Sequence, residues 1–419
     1  MATPPMTPAG APAAKSSRGK DQIQWSEGVW KALDHAVTEE MVRTRVAAKI
    51  LPHVHVDKKQ ATVAQDVVTV PTAAAAALAG VPFDPALSVD ESATFRVQEY
   101  WTTFKLSVAQ VDAEEHEEMA LSQAAASHPP PDPAPSGQHP GHMGHPHRAS
   151  TAVSLAMRTA NILAQAEDLV LFNGQNAVAN SPLFAGAGKL VQALDPNLQG
   201  DLDLGLLNIS PAGDVVINPT TSGPGLTNSI QVIAVHPTVP ASGGSPPRYA
   251  ENSLNAVASA FSVLQQLGHY EHYALVLHTI PYADLHQALA TTLIEPVEPI
   301  SHLIKAGIHG TGTLPPFATG AGQPSGLPVT VGRVPIGQMF SQLLPTSFPG
   351  PNVLYTGVLV SLSGNTMDHV RGRMDDHLDV IVTFNQKDAN EQYRFRVVER
   401  VALRLKDPSA VIVLLFLDS

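Results

Sequence analysis

The residues best suited to chemistry lie in one stretch near the carboxyl end of the chain, "MDHVRGRMDDHLD". Its carboxylates and imidazoles are Asp368, His369, Asp375, Asp376, His377 and Asp379. Groups of this kind at this density can bind a divalent cation or move protons. The alternative is a polar turn between two strands, with its charges in water. The sequence favours that turn.

A second histidine-rich stretch occupies residues 128–147, "HPPPDPAPSGQHPGHMGHPH". Its imidazoles are His128, His139, His142, His145 and His147. Imidazole is a good ligand for transition metals, but the many prolines and glycines oppose a fixed ligand geometry. We interpret the stretch as a solvated, low-complexity linker and predict no metal site.

Familiar enzyme motifs are incomplete. In "AGAGKL", around Lys189, the first glycine of a phosphate-binding loop would fall on Leu183, and its magnesium-binding hydroxyl would fall on Leu190. "HEEMA", from His116, lacks the second histidine of a zinc hydrolase. The chain also has no G-x-S-x-G nucleophile elbow. We therefore expect no catalytic residue and no cofactor.

Composition narrows the function further. The chain has 419 residues, a net charge of −12, only 15% charged residues and no cysteine. Such an acidic chain is a poor nucleic-acid binder and a poor ligand for an anionic membrane surface. Its low charge predicts a surface that is partly covered by subunit contacts. Neither a signal sequence nor a membrane-spanning run is recognisable, so we expect a cytoplasmic protein.

Hydrophobic periodicity predicts the elements that position these residues. The stretch from Trp25 to Pro52 predicts an amphipathic helix that Pro52 ends. The residues on its apolar face are Trp30, Leu33, Val37 and Met41. Residues 58–97 are extended and broken by prolines, as in an arm that lies on a neighbouring chain.

A longer helix runs from Thr151 to Asn173 and stops in "AEDLVLFNG", where Gly174 is suited to a positive φ. We expect Glu167 and Asp168 to be surface charges. Near the carboxyl end, "YRFRVVERVALRL" alternates as a strand with one apolar face, and "AVIVLLFL" is typical of a strand buried on both faces.

Four blocks, in order, resemble the encapsulin shell proteins of the linocin/bacteriocin-like family. They are "VWKALDHAVTEEMVRTRVAAKIL", "AEDLVLFNG" with "SPLFAG", "SLNAVASAFSVLQQLGHYEHYALVLHT" and "VVERVALRLKDPSAVIVLLF". The resemblance implies an α+β chain with the tailed-phage major capsid fold. That fold has a peripheral domain, an apical domain and an extended arm, to which this chain adds a β-rich insertion.

Mapped onto this sequence, the resemblance implies seven segments. They are a flexible amino-terminal arm (1–21), a first peripheral part (22–57), the extended arm (58–97), a peripheral part with the long helix and the histidine loop (98–186), the β-rich insertion (187–248), the apical domain (249–365) and carboxyl-terminal peripheral strands (366–419). Compact encapsulins have little at 1–21, 128–147, 187–248 and 311–352.

The resemblance also implies a function. Many copies would close into an icosahedral shell in a prokaryotic cytoplasm, around a peroxidase or ferritin-like cargo that carries a targeting peptide. Neither nucleic acid nor a membrane would be a partner. A pore loop would contain Thr291, Thr292, Glu295 and Glu298, and a cargo-docking groove would contain Leu33, Val37 and Met41. Those three side chains have a simpler interpretation as core.

Two other functions remain open at this point. A viral or prophage major capsid protein would share the fold but enclose DNA. A bacteriocin-like hydrolase would require a catalytic arrangement, for which only the stretch from Asp368 to Asp379 is a candidate.

Overall fold

The structure is a computed structural model that describes most of the chain in segments. The described residues are 19, 22–23, 25–64, 66–69, 88–90, 94–114, 116, 150–178, 181, 183–184, 188–193, 205–207, 215–217, 230–240, 246–289, 293–314, 353–364, 366–375 and 377–417. The histidine-rich loop 128–147 lies outside them, as do nearly all of 1–21 and most of 311–352.

The described elements mix helices and strands, which confirms the α+β class. The helices are α1 (Glu27–Thr44), α2 (Ala47–Ile50), α3 (Thr151–Val178), α4 (Ala250–Gln266), α5 (Thr279–Leu285) and α6 (Val297–Leu303). The strands are β1 (His53–Val56), β2 (Thr62–Ala64), β3 (Val67–Thr69), β4 (Ser88–Asp90), β5 (Thr94–Arg96), β6 (Gln98–Ser107), β7 (Val191–Ala193), β8 (Val215–Ile217), β9 (Ile230–Val235), β10 (Tyr273–His278), β11 (Ile308–Thr311), β12 (Val353–Ser361), β13 (Met367–Gly372), β14 (Val380–Lys387), β15 (Gln392–Leu405) and β16 (Val411–Leu417).

The first sheet has the strand order β1-β13-β15-β6-β7, and β14 also pairs with β15. Helices α1 and α3 pack on it. As the sequence predicts, α1 turns Leu33, Val37 and Met41 into the core. Aromatic rings continue that core, with Phe395 stacked between Trp25 and Phe104 at centroid distances of 5.0 and 5.1 Å.

The second sheet has the order β11-β10-β12-β16-β9-β8. Every residue of β16 is buried, which confirms the prediction of a strand covered on both faces. Its placement differs from the expected peripheral position of 366–419, because β16 pairs with β12 and β9 rather than with β15. The expected insertion 187–248 is likewise divided, since it supplies β7 to the first sheet and β8 and β9 to the second.

Helix α3 connects the two sheets. Along most of its length, residues such as Leu163 pack in the core of the first sheet. Near its end, Leu171 and Phe172 enter a different core that also contains residues of both sheets. The helix breaks at Gly174, whose φ is 68°, as the sequence predicts. The chain turns there because a residue without a Cβ adopts this backbone conformation at little cost.

Two short ladders lie outside both sheets. Strand β2 pairs antiparallel with β5, and β3 pairs antiparallel with β4. The second ladder is tied to the first sheet by a hydrogen bond of 2.8 Å from the Val68 amide to the Lys406 carbonyl. Arg404 also contacts Asp66 at 3.3 Å. These ladders belong to the segment 58–97.

Candidate functional site

The polar stretch 368–379 does not form one site. Asp368 and His369 are neighbours on β13, so their side chains point to opposite faces of the sheet. Asp368 accepts a hydrogen bond from Nε of Arg404 at 2.8 Å and lies 2.9 Å from Nζ of Lys406. His369 is fully buried on the other face. The interpretation of a turn in water is therefore wrong for both, because partners from distant segments compensate their burial.

The rest of the stretch is spread over a turn. The Asp375 amide donates to the Leu378 carbonyl at 3.1 Å. Asp379 lies 3.1 Å from Nδ1 of His55 and 3.5 Å from Nη1 of Arg371. Asp376 is outside the described residues. Within the described part of the chain, no group of three or more candidate ligands is placed to hold a metal.

Five buried side chains, Arg45, Glu167, His369, Arg371 and Glu399, form what we call the ionic junction. Nε of Arg45 contacts Glu167, and its Nη2 donates to Oε2 of Glu399 at 2.6 Å. The other oxygen of Glu167 lies 2.9 Å from Nε2 of His369 and 3.6 Å from Nη2 of Arg371. The expected surface position of Glu167 is therefore wrong. It is buried because two cations reach it from elsewhere in the chain.

Asp168, beside the junction, is buried too, and the surface position expected for it is also wrong. Its carboxylate accepts hydrogen bonds from the Val46 amide at 2.9 Å and from the Ala47 amide at 2.8 Å. These amides open helix α2, where a carboxylate is favourable. The acidic pair of "AEDLVLFNG" thus fixes the bend between α1 and α2 to the long helix.

Burial and the mutual charges perturb the pKa values in the junction. Burial opposes ionisation of Glu167, but Arg45, His369 and Arg371 together lower its pKa far below the usual range. Burial and the charge of Glu167 raise the pKa of Glu399 well above its ordinary value. Burial lowers the pKa of His369 to about 4. The junction therefore contains a neutral imidazole between an ionised carboxylate and two arginines.

A serine, a histidine and an aspartate also meet below the second sheet, which the sequence analysis missed. Oγ of Ser409 donates to Oδ1 of Asp407 at 2.6 Å and lies 3.0 Å from Nε2 of His269. The same Nε2 is 3.7 Å from Oδ2 of Asp407. In a hydrolytic triad the carboxylate contacts the ring nitrogen that faces away from the serine. This partly buried cluster instead ties the 3-10 turn at Pro408–Ala410 to the segment after α4.

The structure describes two of the four residues predicted to line a pore. Thr291 and Thr292 are outside the described residues. Glu295 is half-buried and lies 3.8 Å from Nδ1 of His286, whereas Glu298 is exposed in the first turn of α6. The most exposed large apolar side chain nearby is Leu293, at 81%. The two predicted glutamates therefore differ in their surroundings.

The residues predicted for cargo docking have no accessible surface. Leu33, Val37 and Met41 are 0% exposed because they face α3 and the first sheet. Their assignment to a docking groove is therefore wrong in this structure. An open groove of about 560 Å³ lies instead between α1 and α3. Its lining residues are Glu40, Arg43, Ser154, Met157, Arg158, Asn161 and Ile162.

No protein-family model and no curated protein matches the sequence. A comparison of structures finds similarities to several solved proteins. A virus-like particle from Pyrococcus furiosus is 11% identical, with a TM-score of 0.47, over 92% of this chain and 98% of that one. The capsid of an empty GTA particle is 13% identical, with a TM-score of 0.43, over 89% and 90%. The SrpI encapsulin of Synechococcus elongatus is 12% identical, with a TM-score of 0.35, over 89% and 88%.

Among the described helices, none is long and apolar enough to cross a membrane. The polar groups that the structure brings together, at the ionic junction and around Ser409, are buried and tie segments of the chain to one another.

Proposed function

We propose that this chain is a structural shell protein. Many copies assemble into a closed compartment that encloses a cargo protein carrying a targeting peptide, in a prokaryotic cytoplasm. The ordered sequence blocks that resemble encapsulins support the proposal. The proposed pore lining contains Thr291, Thr292 and Glu295, together with Glu298 in the first turn of α6, and its repeated carboxylates would favour cations over anions.

The main support for the proposal comes from two strands of the arm, residues 58–97. Its strands β3 and β4 form a two-stranded ladder that belongs to neither six-stranded sheet. A two-stranded ladder is marginally stable by itself in water. On β4, Val89 has 53% of its surface exposed. A neighbouring copy that covers this ladder would bury its apolar residues and stabilise it.

The low fraction of charged residues also supports assembly with neighbouring copies. Only 15% of its residues are charged, against about a quarter in an ordinary soluble domain. Several large apolar side chains are also exposed across separate parts of the chain. They are Val42, Val89, Leu190, Val239, Tyr270, Leu293 and Ile294. Contacts with several neighbours around one subunit, as in a closed symmetric assembly, would cover such a distribution.

Shortening the arm tests the proposal. A two-residue Asn-Gly turn that joins Thr69 to Ser88 in place of 70–87 should preserve the ladder while it removes the reach to a neighbour. We expect this variant to elute as a small oligomer in size-exclusion chromatography with light scattering, with an unchanged circular dichroism spectrum. A matched deletion within 128–147 should still give particles. Particles of normal size from the arm variant would contradict the proposal.

The groove between α1 and α3 is the proposed cargo-docking site. Met157 and Ile162 supply apolar surface, and Arg43 and Arg158 carry guanidinium groups on its two helices. Arg43 is paired with Glu40, which leaves Arg158 to attract an anion. Although the whole chain has a net charge of −12, the groove itself has one more guanidinium than carboxylate, which suits an apolar tail that also carries carboxylates.

Charge reversal tests this site. Arg158→Glu should weaken binding of a peptide with two carboxylates around a leucine–isoleucine pair by about 10-fold, since one close ion pair becomes repulsive. Lys31→Glu is the matched control, because Lys31 is an exposed α1 residue that lies 3.1 Å from Glu27 and does not line the groove. Equal binding by both variants in fluorescence anisotropy would remove the groove from the proposal.

A further inference from the structure

The ionic junction lies where four parts of the chain meet. Arg45 occupies the bend between α1 and α2, and Glu167 lies in α3 shortly before that helix breaks at Gly174. His369 and Glu399 come from β13 and β15 of the first sheet. The contacts among these groups therefore fasten the bend and the end of the long helix to the sheet.

His369 is enclosed by charged and titratable groups from every adjoining element. These groups are Glu167 from α3, with Asp168 behind it, Arg45 from the bend, His53 from β1, Arg371 from β13 and Glu399 from β15. Its ring centroid lies 5.2 Å from that of His53. The ring has no exposed surface, so a charge on it cannot be hydrated.

The geometry leaves no place for a second proton on this ring. Nε2 lies 2.9 Å from an oxygen of Glu167, but neither ring nitrogen has a hydrogen-bond partner of acceptable geometry among the described residues. A charged imidazole donates from both nitrogens, and a buried donor without an acceptor is costly. The charged ring would also be a third cation beside Arg45 and Arg371.

We propose that His369 is a proton-operated latch. In its neutral form it completes the junction, and when charged it releases the α1–α2 bend and the end of α3 from the first sheet. The proposal requires only the folded chain and does not depend on the assembly of a shell.

The direction of the pH dependence follows from the pKa of His369 in the closed and the opened state. Burial lowers the pKa of His369 to about 4 when the latch is closed, whereas an exposed histidine has a pKa of about 6.5. The opened state therefore binds more protons between these values, and its population rises as pH falls through that window. Burial raises the pKa values of Asp168 and Glu399, so these groups act in the opposite direction. A comparison of variants separates the contribution of His369 from theirs.

The test is His369→Gln, which retains an N–H donor towards Glu167 but cannot titrate. Amide hydrogen exchange followed by mass spectrometry, corrected for the intrinsic pH dependence, gives the opening constant for peptides covering 45–51 and 164–172. We expect the ratio of wild-type to variant opening constants to rise about 20-fold from pH 7 to pH 5. The peptide covering 273–278 of the second sheet should show no such rise. His35→Gln, at an exposed position on α1, should behave as the wild type does.

A second measurement needs no substitution and applies if the variant fails to fold. Deuterium exchange at the imidazole C2 positions reports the pKa of each histidine in the intact protein. We expect His369 to exchange slowly, with a pKa well below the ordinary histidine value of about 6.5. A ratio of opening constants that does not change with pH, or an ordinary pKa for His369, would overturn the latch.

Discussion

The ionic junction and the second sheet stabilise the chain in different ways. In the second sheet, β10 and β16 are buried along their whole length, and apolar side chains such as Leu275 and Leu414 belong to one buried cluster. In the junction, charges such as Glu167 depend on particular partners. Removal of one apolar contact leaves the other contacts of the core in place. Removal of one buried charge leaves its partner buried without a counter-charge. The two regions should therefore respond differently to substitution and to pH.

Glu167→Gln should produce the largest effect. It keeps the size of the side chain but leaves Arg45 and Arg371 buried without their shared carboxylate. We expect the free energy of unfolding to fall by about 3–5 kcal/mol, the usual cost of a stranded buried charge. Denaturant unfolding at pH 7 measures it. A loss below about 1 kcal/mol would mean that the junction is open to water.

Leu414→Ala in β16 makes the matching change in the apolar region. Leu414 is fully buried, so we expect a loss of about 2–4 kcal/mol from transfer and cavity terms. Because no titratable group is altered, the loss should be the same at pH 5 and pH 8. If the loss differs by more than about 1 kcal/mol between pH 5 and pH 8, the expected difference in pH response between the two regions is wrong.

Asp168→Asn should give a smaller effect that depends on pH. Burial and the charge of Glu167 raise the pKa of Asp168 to about 7, against about 4 in an unfolded chain. Its contribution to stability is therefore full below about pH 4 and is lost as pH rises through about 7. The variant still offers an acceptor to the Val46 and Ala47 amides but does not titrate. Relative to the wild type, its free energy of unfolding should increase by about 2–3 kcal/mol from pH 5 to pH 8, and no change would contradict the assignment.

Ser409→Ala should have the smallest effect. It removes the hydroxyl that lies between His269 and Asp407, at a cost of about 1 kcal/mol for a buried hydrogen bond. Thermal unfolding followed by circular dichroism measures this loss. If the cluster is structural, the wild type and the variant should have the same background activity on ester substrates. Hydrolysis that disappears with the serine would instead support an enzyme.

Local patterns predicted the elements well. The apolar face of α1, the alternation of β15 and the burial of β16 follow from periodicity, because each depends on neighbours in sequence. The break of the long helix at Gly174 was also predictable, since few other residues adopt a φ of 68°.

The burial of charged side chains was not predictable from the sequence, because it depends on partners that are far away in the chain. Glu167 and Asp168 have the composition of a helix surface. Their burial is favourable because Arg45, Arg371 and the α2 amides, all more than a hundred residues away in the chain, contact them. The same limitation applies to the apolar face of α1. Periodicity shows that Leu33 faces something apolar, but not whether that surface belongs to the same chain or to a cargo tail.

The most direct test of the proposed function is negative-stain electron microscopy of the purified full-length protein, with the ratio of absorbance at 260 and 280 nm measured on the same sample. We expect closed, uniform particles that are tens of nanometres across and free of nucleic acid. A monomer or small oligomer across several salt concentrations and pH values would contradict the shell. Closed particles filled with nucleic acid would contradict the protein cargo and favour a DNA-packaging capsid.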